Sequence, residues 1–337
     1  MSSWYFLHKR CGSVDEFFEK LETHIVHENR SMPGSSIWLF RGQNSSCLPM
    51  LPKSMRDGFQ VQFVEPTFKY VKKLLLSKDS YPPFDWTRDH EKQVFIYVQR
   101  KLEDRIVRRF AEFADEAHLD LPTDSKLDLG GEYKAIDERD LHELICGSLP
   151  ALRDPISVVD ALAQHHGIPT RLLDWTRNPY VAAFFAAYAD RKTVKRLRKN
   201  KHHRMAVWAL QFLTPMRESN LKVVTQLRSR IGNLKAQDGL FIFDSRADEK
   251  YTPEEKWKKL DEEFSNDDSY QTLGWKFSLP FILQDDLLDR LEQRGLYADH
   301  LWPRRLVEGK PDFDTIASNT LQRHIRHPYS LLFGGSL

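Results

Sequence analysis

Apolar residues recur along the chain at the spacings of helices and of buried strands. Ser13 and Asn178-Pro179 are suited to start helices, and Gly167 followed by Pro169 is suited to end one. Apolar residues three or four positions apart predict helices over 13–29, 90–118, 157–166, 179–189 and 284–294. Short apolar runs predict strands over 37–40, 171–175, 206–213, 240–243 and 275–279.

The order of these elements is mixed, with helices grouped between strands and no strict alternation. That order favours an α+β fold over a doubly wound sheet. We expect a helical insertion over about 65–150, and an irregular loop at the surface over 43–58, where prolines and a glycine recur.

Composition places the chain among ordinary globular proteins. It has 337 residues, 41% hydrophobic and 29% charged, with 15 Gly and 17 Pro, which argues against disordered and fibrous classes. Cys11, Cys47 and Cys146 are far apart and odd in number, so we expect neither a disulfide framework nor a zinc site, and a reducing cytoplasm. Neither a signal peptide nor a membrane span is predicted.

Charge is segregated although the net charge is only +2. Eight Lys or Arg fall within 191–204, and acidic residues prevail over 244–268. The basic run predicts either a solvated helix extension or a contact with nucleic-acid phosphates. Both interpretations remain open.

Common nucleotide and hydrolase motifs are absent, among them the Gly-Lys-Ser/Thr phosphate loop, GxGxxG, GxSxG and HExxH. His165 and His166 are adjacent on a predicted helix and point about 100° apart, so we expect no metal site. Three polar clusters at the ends of apolar elements remain as candidates.

In the first cluster, Phe40-Arg41-Gly42-Gln43, Arg41 and Gly42 directly follow the predicted strand 37–40. Arginine can hold a phosphate in two places, and glycine lets a ligand or a backbone come close. The alternative is a buried structural salt bridge.

The second cluster, 164–176, contains Gln164, His165, His166, Thr170, Arg171, Asp174, Trp175 and Thr176. We interpret this density as a site, the alternative being a capping and ion-pairing network in which Asp174 or another carboxylate holds Arg171. The third cluster, Gln237-Asp238-Gly239, enters the strand 240–243, and its alternative is a tight turn with Gly239 at positive φ.

The motifs WLFRGQ, AQHHGIPTRLLDWTRNPYVAAFFA and NLKAQDGLFIF resemble, in order and spacing, those of the FRG domain, a bacterial and phage family. The segment 275–305 is similar to the family's C-terminal part, so the resemblance covers about 37–305 without the insertion. It implies a single FRG-type domain over 1–337, with core motifs at 37–64 and 151–245, the insertion at about 65–150 and an extension at about 270–337.

A weaker resemblance links Phe40-Arg41-Gly42, and the segment from Asp174 to Ala186, to ADP-ribosyltransferases that use NAD. It implies an ADP-ribosyltransferase-like mixed β core with NAD as substrate and no metal. By this resemblance Arg41 would hold the diphosphate, Thr176 would orient the ribose, and Trp175 would stack on nicotinamide, with Gly42 and Arg171 also in the binding site.

Catalysis is implied for Asp174, His166 and Gln237. The third motif departs from the transferase pattern, because Gln237 stands where those enzymes place a glutamate. Glutamine carries no charge to balance a ribosyl cation, so the carboxylate would have to come from Asp174 or Asp238.

We therefore expect an NAD-dependent ADP-ribosyltransferase-like enzyme that acts on RNA or protein, as a toxin or phage-defence effector. One alternative is a non-enzymatic module that senses or binds a nucleotide or nucleic acid. Another is a nuclease based on His165 and His166, with Arg41 and Arg171 on the phosphate. Expected partners are nucleic acid at 191–204 and an antitoxin or regulatory protein, without a membrane.

Overall fold

Side-chain caps start the helices of the motif region where the sequence predicts them. Ser157 Oγ accepts from the backbone N–H of Asp160, and Asp160 Oδ2 accepts from that of Ser157, both at 3.0 Å. Asn178 Oδ1 accepts from the backbone N–H of Tyr180 at 2.9 Å. Gly167, with φ +90°, ends the helix that Ser157 caps.

The computed structural model describes residues 7–31, 36–77, 85–121, 136–150, 157–213, 221–224, 236–263, 274–301 and 312–326. The chain start 1–6, residues 233–235 of the third motif and residues 302–305 of the C-terminal segment lie outside the described residues. No helix among the described residues combines the length and the apolar character needed to cross a bilayer.

The strands are β1 (Leu7–Arg10), β2 (Ser36–Gln43), β3 (Leu173–Thr176), β4 (Arg204–Leu213), β5 (Leu221–Val224), β6 (Gly239–Asp244) and β7 (Gly274–Pro280). The helices are α1 (Val14–Ser31), α2 (Asp57–Phe59), α3 (Glu65–Leu75), α4 (Arg88–Glu116), α5 (Glu138–Ile145), α6 (Val158–His165), α7 (Pro179–Ala187), α8 (Arg191–Arg198), α9 (Ala247–Lys250), α10 (Leu260–Glu263), α11 (Gln284–Glu292), α12 (Ala298–Leu301) and α13 (Phe313–Arg326). Lys53–Met55 and Phe281–Leu283 form 3-10 turns, and Gln60–Val64 a π-helical turn.

The seven strands form one mixed sheet in the order β1-β7-β4-β2-β3-β6-β5. Only β1 and β7 pair in parallel among these neighbours, and the other pairs are antiparallel. A mixed sheet with helices that do not alternate regularly with its strands confirms the α+β class.

The chain divides into two compact units. The first, here the sheet unit, comprises Met1–Met50, Leu173–Ser245 and Lys259–Arg305. The second, here the helical unit, comprises Leu51–Leu172, Arg246–Lys258 and Leu306–Leu337. The predicted insertion at 65–150 falls within the helical unit, and the single-domain organisation remains a prediction.

Each face of the sheet has its own apolar core, because alternate residues of a strand point to opposite faces. On one face, Trp38 and Phe40 of β2 join side chains of α1, α7, α11 and α12. On the other, Leu39 joins Trp175, Trp208 and Leu260.

The helical unit is built on α4, which confirms the long helix predicted over 90–118. Its apolar stripe includes Val94, Leu102, Ile106 and Phe110, all 0% exposed. Helices α3, α5, α6 and α13 contact it within this unit.

Four sequence predictions need correction. Strand β2 does not end at Arg41 but continues to Gln43, because β4 pairs along its full length. Strand β3 begins at Leu173 rather than at Arg171, whose side chain is held by carboxylates of the helical unit. The stretch 43–58 is partly buried, with Met50 and Ser54 at 0% exposure. In the third cluster Asp238, at φ +44°, takes the left-handed conformation predicted for Gly239.

Two strands escaped prediction. β1 is four residues long, largely charged and mostly exposed, so it carries no apolar run. β5 is equally short and lies at the other edge of the sheet. Edge strands of this kind depend on pairing with a neighbour rather than on local pattern.

Gly42 fixes how closely α7 approaches the sheet. A Cβ at this position would lie 1.9 Å from the carbonyl oxygen of Ala182 and 2.6 Å from the backbone nitrogen of Ala186. The sequence left open whether a ligand or a backbone comes close to Gly42. The backbone of α7 occupies that space.

Gly42→Ala should therefore destabilise the protein by about 3 kcal/mol, near the upper end for overpacking, because backbone atoms cannot yield as side chains do. Calorimetric thermal unfolding measures the effect. Gly58→Ala is the matched control, since a methyl group there would have nothing within 4 Å and alanine favours a helix. Equal melting temperatures for the two variants would contradict the role assigned to Gly42.

Candidate functional site

Arg41 and Asp174 meet where β2 and β3 separate. The two strands pair only at Phe40 and Thr176. Beyond that pair, Arg41 Nη1 donates to the backbone carbonyl oxygen of Asp174 at 2.5 Å and lies 3.7 Å from its carboxylate Oδ2. The guanidinium thus spans the space that a further rung of strand pairing would close.

Arg41 is a largely buried cation with an exposed counterion. Its side chain is 11% exposed, against 57% for Asp174. Burial lowers the pKa of Arg41, and the Asp174 carboxylate offsets only part of this effect. Arginine nevertheless stays charged at any physiological pH. Arg41 Nε is buried and has no hydrogen-bond partner among the described residues. This arrangement can accept a further anion.

Two neighbouring donors are also unfilled. Gln43 Oε1 accepts from Trp208 Nε1 at 2.8 Å, while Gln43 Nε2 is buried without a described partner. Trp175 Nε1 is also buried without a described hydrogen-bond partner. Strand alternation places Arg41 and Gln43 on the face of β2 that bears Leu39, and Leu39 and Trp175 belong to one core cluster. Three unfilled donors therefore share one face of the sheet.

Thr176 and Gln237 are engaged in holding the scaffold. Thr176 Oγ1 donates to the backbone oxygen of Gln237 at 2.7 Å and accepts from the backbone N–H of Asn178 at 3.0 Å. Gln237 Nε2 donates to the backbone oxygen of Leu301 at 3.0 Å. Both side chains are buried, at 4% and 8% exposure. They connect β3, the turn before β6, and α12.

The remaining sheet-unit candidates have contrasting surroundings. Trp175 is 3% exposed and packs in the core, so its ring faces do not line an open surface. Asp238 lies 3.9 Å from Arg177, and each side chain is 36% exposed. Asp174 and Asp238 are thus the accessible carboxylates among the predicted site residues of this unit.

Arg171 lies in the helical unit, where two carboxylates hold it. Its Nε donates to Glu103 Oε2, and its Nη1 donates to Asp248 Oδ1 at 2.6 Å. Arg100 also donates to Asp248, at 2.9 Å, and the Trp257 ring lies 5.2 Å from the Arg171 guanidinium. Burial lowers the pKa of Arg171, but Glu103 and Asp248 outweigh burial and raise it.

The Arg171 ion pairs match the alternative that the sequence left open, in its second form, with carboxylates other than Asp174. Glu103 and Asp248, not Asp174, are the carboxylates. Glu103 also accepts from Gln99, which contacts Gln60. These partners were missed because they lie far from Arg171 in the sequence, and a buried Glu103 on the apolar side of α4 was the available signal.

His166 is also held within the helical unit. Its Nδ1 lies 2.7 Å from Asp314 Oδ1, and this hydrogen bond lowers the pKa of Asp314. The rings of Phe313 and Phe110 stack on the imidazole at 5.1 and 6.5 Å. The His165 ring lies 5.0 Å from it, edge-on.

The predicted site residues therefore form three groups. Arg41 and Asp174 form an ion pair at the separating strands, with Gln43, a member of the first polar cluster to which the sequence assigned no role, as a neighbour. Thr176 and Gln237 brace the same unit, and Arg171 and His166 belong to networks of the helical unit. Within the described ranges, no group of three or more His, Cys, Asp or Glu side chains could hold a metal ion.

Arg171→Ala should destabilise the protein by about 3–5 kcal/mol, because two buried carboxylates would lose their counterion. Arg139→Ala is the control: this arginine forms an exposed helix pair with Glu143, worth about 0.5 kcal/mol or less. Chemical denaturation measures both. A cost for Arg171→Ala no larger than that of the control would show that the buried network is not structural.

The model of one protein family, the FRG domain, matches residues 36–195. This span includes Arg41, Gly42 and the whole cluster 164–176, while the third motif and the segment 275–305 lie beyond it. No curated protein and no solved structure matches the chain significantly. The chain therefore carries an FRG domain, over residues 36–195.

Proposed function

We propose that the protein binds NAD as a substrate at Arg41 and transfers its ADP-ribose to a macromolecule. One observation carries the proposal: Arg41 is a buried cation with an unfilled Nε, beside the exposed carboxylate of Asp174. The first group suits a diphosphate and the second suits a developing positive charge. The resemblance of both segments to ADP-ribosyltransferase motifs supports the same assignment.

Arg41 would bind the diphosphate. Its Nε is unfilled, and its Nη1 is fixed by a backbone oxygen, so the guanidinium is oriented before a ligand arrives. Preorganised, charge-assisted hydrogen bonds of this kind are the strong ones in a protein. Gln43 Nε2 offers another donor on the same face of the sheet.

Asp174 would supply the charge that transfer requires. The bond between nicotinamide and the ribose carbon breaks with its electron pair going to nicotinamide, which leaves a ribosyl cation. A carboxylate near that cation lowers its energy. A nucleophile of the acceptor then bonds to the same carbon and releases its proton. Consumption of NAD in this way would suit a toxin or a phage-defence effector.

A second candidate is a non-enzymatic module that binds a nucleotide at the same place. It is favoured by the hydrogen bonds that engage Gln237 with Leu301 and Thr176 with the Gln237 backbone. Neither side chain is free to orient a ribose in this arrangement. Nicotinamide release over many turnovers separates the enzyme from the module.

Arg41→Ala should weaken NAD binding about 10- to 100-fold, the loss expected for removing hydrogen bonds from a charged donor. Isothermal titration calorimetry measures it. Arg290→Ala is the control, because Arg290 pairs with Asp15 and Asp286 on other surfaces of the sheet unit. If Arg41→Ala and the wild type bind NAD equally, or if the wild type does not bind it, both candidate functions at this site fail for NAD.

Asp174→Asn should keep NAD binding and lose nicotinamide release by about 100-fold or more, as for removal of one strong transition-state contact. The backbone oxygen that orients Arg41 is retained in this variant. Asp238→Asn is the matched control. If Asp238→Asn lost activity and Asp174→Asn did not, the catalytic carboxylate would be that of Asp238. Labelled NAD in a cell lysate then shows whether the acceptor is RNA or protein.

A further inference from the structure

A basic cleft lies in the sheet unit between α8 and the start of α11. Its volume is about 610 Å³. Four cations and one carboxylate line it: Arg191, Lys195, Arg198, Lys199 and Asp285. Asp285 pairs with Arg198 at 2.5 Å. Arg191, Lys195 and Lys199 have no carboxylate partner among the described residues.

The cations share one face of the helix. Arg191, Lys195 and Arg198 are four and three positions apart, the spacing that places side chains above one another, and Lys199 follows at the C-cap. The α-helical rise of about 1.5 Å per residue spreads Arg191 to Arg198 over about 10 Å. That length is about three times the axial rise of 3.4 Å per phosphate along one strand of a duplex, so the row can contact more than one phosphate of a strand.

Part of this charge pattern opposes the stability of the helix itself. Lysine or arginine at positions i and i+4 repel each other by a few tenths of a kcal/mol per pair. Arg191 and Lys192 also stand in the first turn, where the helix dipole disfavours cations. No residue within α8 is acidic, and none is buried. The cations of the last turn interact favourably with the dipole, so the unfavourable terms are the first-turn cations and the i, i+4 repulsions, which an external anion would relieve.

We infer that this cleft binds the phosphate backbone of a nucleic-acid strand. The cleft is open along α8, so an extended strand can lie along its row of cations. Arg198 Nε is buried and has no hydrogen-bond partner among the described residues. Asp285 orients the Arg198 guanidinium from the opposite wall. The inference does not depend on NAD binding at Arg41.

The test is fluorescence anisotropy with the full-length protein and a labelled single-stranded RNA of mixed sequence, titrated from 50 to 200 mM salt. With Z phosphate contacts, log K falls with log salt at a slope of about −0.7Z for single strands. Loss of three contacts in the variant R191A/K195A/K199A should weaken binding at least about tenfold and reduce the slope by about 2.

Lys192→Ala/Arg196→Ala is the matched control. It removes two exposed cations from the same helix that do not line the cleft, and it should change the affinity less than about threefold. Equal losses in both variants would mean that general basic charge, not the cleft, binds RNA. Circular dichroism verifies that α8 variants remain folded, and the salt slope of the wild type provides a test without any variant.

Three competitors complete the design. A single-stranded DNA of the same length should compete, because the phosphate backbone is shared. Mononucleotide and polyglutamate should not compete at matched charge, since neither presents a chain of phosphates. The inference would be overturned if the wild type did not bind RNA or if its affinity did not depend on salt. It would also be overturned if the mononucleotide or polyglutamate competed as well as the DNA.

Discussion

The close contact between α7 and β2 at Gly42 is the constraint on which the sheet unit depends. Backbone of one element lies directly against backbone of the other, so β2 cannot move along or away from the helix without losing that contact. β2 is also paired over its whole length with β4. Arg41, between Phe40 and Gly42, is therefore carried on a strand that both α7 and β4 hold in place. The backbone that carries its guanidinium is therefore fixed in position, as a preorganised anion site requires.

Much of the fold was predictable because local signals were strong. Long periodic stretches gave α4 and α6, and the cap at Asn178 gave the start of α7. Apolar runs gave the central strands. The edge strands β1 and β5 were missed because short, charged or exposed segments acquire strand structure only from their neighbours. The continuation of β2 through Arg41 was missed for a related reason, since pairing with β4 overrides a polar sequence.

The sequence predicted the residue types of the candidate site better than it predicted which of those residues lie together in space. The functional residues over 164–176 are divided between the two units, because the chain passes from the helical unit to the sheet unit between Leu172 and Leu173. Arg171 serves one polar network and Asp174 another, although two residues separate them. Glu103, Asp248 and Asp314, the carboxylates that hold Arg171 and His166, lie in distant parts of the sequence. Spacing along the chain does not reveal such partners.

The parallel pairing of β1 with β7 has a consequence for synthesis. Leu7 pairs with Trp275, so β1 waits for β7, the last of the described strands, to leave the ribosome, on the order of ten seconds or more at usual elongation rates. Until then β4 has an open edge, and the core face lacks Trp275 and Phe277. Exposed strand edges bind other chains readily. A nascent or truncated chain that stops before β7 is thus a natural substrate for chaperones and a source of aggregation.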